Sequence, residues 1–150
     1  MKYNETFSYD ESVGLATCRI KYEDQEFIGE AKCHPDNMEF ATEFVGCEIA
    51  RHRAIIKVFK HIIKEDRIAI KTLQDFYNSI AASRSMRQNY WLKQKFLNEI
   101  ESYQEDIKTA KSVVDKSKIE LVAYTTGKDH FYKILKQIRN RVADKTNQSI

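Results

Sequence analysis

The side chains best suited to chemistry in this sequence are its arginines and lysines, where they stand among aromatic rings. Arg51, Arg53 and Lys57 open a long apolar-periodic stretch, and Arg53 and Lys57 lie four residues apart, on one face of a helix. Lys128, Lys133, Lys136, Arg139 and Arg141 crowd the last such stretch beside Phe131 and Tyr132. Arg84, Arg87, Tyr90 and Trp91 repeat the mixture between them. A guanidinium fork binds a phosphate in two places at once, and an aromatic face takes a base, so these clusters suit a nucleotide. Phe131 and Arg139 are the choices in the last cluster for that chemistry. The alternative reading is plain, because cationic faces with aromatics are also ordinary on solvated helices.

Other chemistries find less to work with. Cys18, Cys33, His34 and Cys47 are the only metal-ligand types near one another in sequence, and no two cysteines have the short spacing of a zinc site. No metal or cofactor is expected. His34, His52, His61 and His130 are scattered, no nucleophile elbow is present, and Gly14, Gly29, Gly46 and Gly127 stand too far apart to cradle a phosphate. His61 falls in an apolar stripe and reads as a semi-buried structural side chain. Catalysis is therefore not expected. Cys33-His34-Pro35-Asp36 ends a strand where binding loops often sit, although proline as a strand stop and aspartate as a helix cap are the simpler explanation.

The elements that must position these residues are few. Val13 to Tyr22 alternates, with Ala16, Cys18, Ile20 and Tyr22 on one face, and Phe27 to Cys33 alternates again after a polar turn at Glu23-Asp24-Gln25. The pair reads as an antiparallel hairpin, with Tyr3 to Tyr9 as a further edge strand. Asp36 and Glu39 have the spacing of a helix cap, predicting a short helix through Met38, Phe40 and Phe44 that ends at Gly46. From Cys47 to about Ser83 no breaker occurs, and Ala50, Ala54, Val58, Ile62, Ala69, Leu73, Phe76 and Ile80 keep helical spacing. Ser83-Arg84-Ser85 is the expected reversal. Beyond it Phe96, Ile100, Tyr103, Ile107, Ala110, Val114, Ser117, Leu121 and Tyr124 alternate steps of four and three, the seam of a coiled coil or antiparallel helical hairpin. Thr125-Thr126-Gly127 predicts a break or kink, followed by a last helix with Phe131, Ile134, Leu135, Ile138 and Val142 on its apolar side.

Together these predict one α+β domain over residues 1–150: a β-hairpin region to 35, a helical region over 36–144 and a frayed tail over 145–150. With 42% hydrophobic and 31% charged residues, four Gly and one Pro, the composition suits long uninterrupted helices. No apolar run reaches membrane-spanning length, and the N-terminus lacks a signal-peptide core, so a cytoplasmic protein with reduced thiols is expected. The net charge of +3 hides an asymmetry. Residues 1–50 hold four cations against eleven carboxylates, a net of −7, which leaves +10 for residues 51–150. The halves can attract each other, or the basic half can meet a phosphate-bearing partner. A thin hairpin sheet and a two-helix hairpin bury little alone, so self-association is expected.

Thr17-Cys18-Arg19-Ile20-Lys21-Tyr22, Phe27 through Asp36, Gly46, and Ile49-Ala50 through Arg53-Ala54-Ile55-Ile56-Lys57 carry a resemblance. Over about residues 13–57 the chain resembles small proteins of phages of Gram-positive bacteria, in particular the anti-defence sponges that counter the Thoeris system. The resemblance implies a β-hairpin joined to long helices, a symmetric oligomer and no catalysis. It also implies binding of a cyclic ADP-ribose isomer in the infected host, with Arg53 as the transferable phosphate contact. Lys57 and His34 are the expected neighbours of Arg53 at the strand end. The alternative is an interaction or nucleic-acid-binding protein that uses its basic helices.

Overall fold

The computed structural model describes residues 3–33, 42–81 and 86–148; within the last stretch the side chains of 86–88, 128, 131, 132 and 146–148 are not described. The protein is α+β. A three-stranded antiparallel sheet, β1 (Asn4–Asp10), β2 (Leu15–Tyr22) and β3 (Gln25–Lys32), is followed by two long helices, α1 (Glu43–Ala81) and α2 (Met86–Gln148). The chain divides into two compact units, residues 1–57 with 116–150, and residues 58–115.

In the first unit, β2 lies between β1 and β3, as the alternation in the sequence predicts. Ala16, Cys18 and Ile20 are wholly buried on its inner face. Their cross-strand partners are Tyr9, Phe7 and Glu5 on β1, and Ala31, Gly29 and Phe27 on β3. On the opposite face Thr6, Arg19, Lys21, Glu26 and Glu30 are exposed, while Thr17 is buried and Ile28 half-buried. Tyr22 pairs with Gln25, so Glu23-Asp24 is a two-residue turn in which Glu23 takes a φ of 54°. Gly14, at φ 62°, makes the turn into β2, and its carbonyl accepts the Cys33 N–H at 2.9 Å.

The start of α1 covers the inner face. Contact is so close at Gly29 that an added Cβ would stand 2.1 Å from the Ala50 carbonyl oxygen and 2.5 Å from the Ala54 nitrogen. Ile49, Ala50 and Ala54 are accordingly buried to within 1%. Gly46 belongs to the same contact, since a Cβ there would lie 3.1 Å from that of Ala16. This corrects the expectation that a helix stops at Gly46 and another begins at Cys47. The glycine is spent on letting the helix approach the sheet, and α1 runs straight through it. The expected cap at Asp36 and Glu39 lies outside the described residues, as does the Ser83-Arg84-Ser85 reversal.

In the second unit, α1 and α2 pair antiparallel. Phe76 and Tyr77 meet Phe96 at ring distances of 5.8 and 5.9 Å, while Asp66, further back, faces Asp106. The seam read from the sequence is the face that packs. Ile100, Ala110, Val114 and Ser117 are buried, and Phe96, Tyr103, Ile107, Leu121 and Tyr124 are half-buried. On α1 the row departs from expectation at one position, for Tyr77 rather than Phe76 is half-buried and Phe76 is 56% exposed.

At Thr125-Thr126-Gly127, where a break or kink was expected, α2 is unbroken. The Thr125 hydroxyl donates back to the Leu121 and Val122 carbonyls at 2.9 and 3.1 Å, so its polarity is met inside the helix. The helix also passes residue 145, where a frayed tail was expected, and reaches Gln148. No helix among the described residues is long and apolar enough to cross a membrane.

Candidate functional site

Arg53 and Lys57 are brought together, as their spacing implies, at the outer edge of β3. Arg53 Nη1 donates to the Glu30 carbonyl and Lys57 Nζ to the Ile28 carbonyl, each at 2.6 Å. The match is geometric. Four residues of helix rise about 6 Å, and two residues of strand rise about 6.8 Å, so cations one turn apart meet carbonyls two residues apart. Both side chains stay exposed. An Arg has five N–H donors and a Lys three, so each is anchored by one bond and keeps donors for something else. Fixed cations at an open edge can hold an anion without first having to be ordered.

The remaining predicted residues are placed less fully. His34 lies outside the described residues. Phe131 is on α2 and its ring is outside them. Arg139 is an exposed position of α2 in the same compact unit, with Lys133 and Arg141 also exposed. Of the aromatic pair near the reversal, Tyr90 and Trp91 meet edge to face at 5.8 Å and are 64% and 65% exposed. Arg84, and the side chain of Arg87, lie outside the described residues.

Arg51 serves a different purpose from Arg53. Its Nε donates to both carboxylate oxygens of Glu5, at 3.0 and 3.2 Å, tying α1 to β1 across the inner face. Burial works against the guanidinium charge, but the bond to Glu5 outweighs it, and the Arg51 pKa is raised. Cys18 lies close by. Burial first, and then the Glu5 carboxylate, push its thiol up to about 11. Cys47 is raised by burial and by Glu43 and Glu48. Both therefore stay protonated near neutral pH and are poor nucleophiles. All three cysteines are free thiols, and among the described residues no group of His, Cys, Asp and Glu is arranged to hold a metal.

The most buried polar side chain among the described residues is His52, which sequence reasoning passed over in favour of His61. His52 is 3% exposed. Its Nε2 lies 3.0 Å from Glu120 of α2 and 3.8 Å from Glu48, one turn back on α1, and its ring stacks on Tyr124 at 5.8 Å. A carboxylate can only accept, so Nε2 carries the proton towards Glu120. Nδ1 is then left buried with no hydrogen-bond partner. The available signal was positional, since His52 stands between Ile49 and Ile55 on the side of α1 that the apolar residues define. With so little access to solvent, this imidazole is placed to bind helix to helix.

In the second unit a cavity of about 350 Å³ opens between Asp75, Tyr77 and Asn78 of α1 and Lys93, Phe96 and Ile100 of α2. Its size is at the lower end of small-molecule pockets. Comparison of the chain with protein-family models, with characterised proteins and with solved structures finds no match.

Proposed function

We propose that this chain is a binding protein rather than an enzyme: a self-associating phage protein that captures a small phosphate-bearing signal and withholds it from a host defence effector. The cyclic ADP-ribose isomers to which the resemblance points are the ligands to try first. The observation that carries the reading is the Arg53–Lys57 pair, two exposed cations held side by side by the β3 carbonyls with donors to spare. Binding without catalysis fits the state of His52, which is shut away from solvent with Nε2 committed to Glu120. A second reading, nucleic-acid binding, draws on the +10 balance of residues 51–150 and on the exposed Lys133, Arg139 and Arg141.

Calorimetry with a cyclic ADP-ribose isomer tests the first reading. A charge-assisted bond contributes about 1.5–3 kcal/mol, so Arg53→Ala is expected to weaken binding about ten- to a hundredfold. Folding should persist, because the Glu30 carbonyl that Arg53 leaves is open to water. Titration with a short duplex at rising salt tests the second, since counterion release makes such binding fall steeply. No heat with the cyclic nucleotide, together with steep salt-dependent binding of the duplex, would transfer the function to nucleic acid.

A further inference from the structure

The two edges of the sheet are treated differently. On β3 the edge carbonyls of Ile28 and Glu30 are taken by Lys57 and Arg53, which blunts that edge against pairing with another strand. On β1 no side chain among the described residues bonds the outer edge. The described bonds around it are the Arg51–Glu5 pair on the inner face and the contacts from Ser12 to Asp10 at the end of the strand.

Side-chain exposure along β1 shows the same openness. Phe7 is on the inner face, directly opposite the buried Cys18, yet it is 43% exposed. Its neighbours on that face are not left so. Glu5 is tied to Arg51, and Tyr9 is half-buried beside Gly46. An apolar ring at the centre of an unguarded edge is a surface that continues into something else.

We propose that β1 is the surface on which a second copy of this chain joins, β1 pairing antiparallel with β1 about a two-fold axis at Phe7. The sequence of the strand is self-complementary in that register. The seven residues Asn4–Asp10 all find partners: Phe7 meets Phe7 of the other copy, Thr6 meets Ser8, Glu5 meets Tyr9 and Asn4 meets Asp10. Both carboxylates then face neutral hydrogen-bonding side chains, and an axis moved to Glu5 would instead set carboxylate against carboxylate. Pairing residues equidistant from the axis also keeps inner face with inner face, so the two sheets become one of six strands with the exposed Phe7 rings paired. The interface gives the self-association proposed above a place, and rests on it.

Register-specific cross-linking tests this. In a Cys18→Ala background, which removes the native thiol directly opposite position 7 on β2, Phe7→Cys puts two thiols opposite each other across the axis and should be captured as a disulfide-linked dimer under mild oxidation. Asn4→Cys puts its thiol opposite Asp10 and should stay uncross-linked. The remaining native thiols are buried or half-buried, Asn4→Cys is made in the same Cys18→Ala background, and the Cys18→Ala chain alone is the control. Phe7→Lys should convert the dimer seen by light scattering to a monomer with unchanged helix content; if that variant fails to fold, the two cysteine variants still decide. A dimer that forms no Phe7→Cys cross-link, or cross-links equally at Asn4→Cys, overturns the β1 interface while leaving self-association standing. A protein that is monomeric at all concentrations overturns both, whatever calorimetry says of ligand binding.

Discussion

The sheet-bearing unit and the helical unit bury the faces of the same two helices by opposite means. Against the sheet, α1 presents Ala50 and Ala54 to Gly29, and Gly46 to Ala16, so backbone nearly touches backbone at these points, while Ile20 and Ile49 fill the core around them. Among the described residues of 58–115 there is no third layer; helix meets helix through the rings of Phe96, Phe76 and Tyr77, with Val58, Ile63, Ile100, Ala110 and Val114 buried. The first arrangement is intolerant of added atoms. Both leave apolar surface in water: Ile68, Phe76 and Trp91 in residues 58–115, and Phe44, Ile119 and Val122 in the first unit, are all more than half exposed. Close packing makes the first unit the better platform for a site whose parts must hold position.

The largest effect that could break this comparison is at Gly29. Gly29→Ala sets a methyl group against the α1 backbone, which has no rotamer to change, so the helix must lift from the sheet. A loss of at least about 3 kcal/mol is expected, beyond the usual cost of overpacking. The control is Gly127→Ala, where an added Cβ meets nothing within 4 Å; in a helix it should instead stabilise by about 0.5–1 kcal/mol. Urea midpoints of the two variants check both signs. A Gly29→Ala protein as stable as the parent would mean that α1 does not lie so close.

Next in size is the His52 cluster, where the sheet-bearing unit places a buried histidine against a carboxylate of α2. Glu120→Ala leaves the Nε2–H without its 3.0 Å acceptor, with only Glu48 at 3.8 Å in reserve. An unsatisfied buried donor costs about 1–3 kcal/mol. Glu120→Gln keeps an acceptor oxygen and should recover most of the loss, which separates the hydrogen bond from mere packing. Equal destabilisation by both substitutions would show that the carboxylate charge, and not the bond, holds the histidine.

What could be read from the residues beforehand divides along the same line. Alternation at Ala16, Cys18 and Ile20, and the four-three seam from Phe96 to Tyr124, report burial directly, and both are in place. Gly46 and Thr125-Thr126-Gly127 misled, because residue type carries only local preference. Tertiary contact turned one glycine into a packing device, and at the other site α2 runs on unbroken, with the Thr125 hydroxyl bonded to its own helix. Spacing placed Arg53 and Lys57 on one helical face. That the face would lie along the β3 carbonyls depends on the packing of helix on sheet, which one-dimensional periodicity does not contain. His52 was missed for a related reason: a polar residue on an apolar face becomes meaningful only when a partner such as Glu120, 68 residues later, is brought opposite it.

The smallest expected effect lies in the helical unit and has the opposite sign. Asp66 stands half-buried in the apolar row of α1, with Oδ2 buried and without a hydrogen-bond partner. Burial first, then the carboxylates of Asp106 and Glu65, raise its pKa above the ordinary 3.8. Between the unfolded value and that raised value the folded protein binds more protons than the unfolded one. Stability therefore falls as pH rises through that window, and the penalty persists at neutral pH. Asp66→Asn removes the charge and keeps the shape, so it should stabilise the protein near neutral pH by a few tenths to about 1 kcal/mol. Below pH 3.8 the aspartate is already protonated in both states, and the advantage should vanish. Urea titrations on both sides of that pH measure the difference, and slower hydrogen exchange of the amides over residues 58–81 would place it in this unit. A variant less stable than the parent at neutral pH would mean that the carboxylate has a favourable partner, and that the helical unit contains a polar lock of its own.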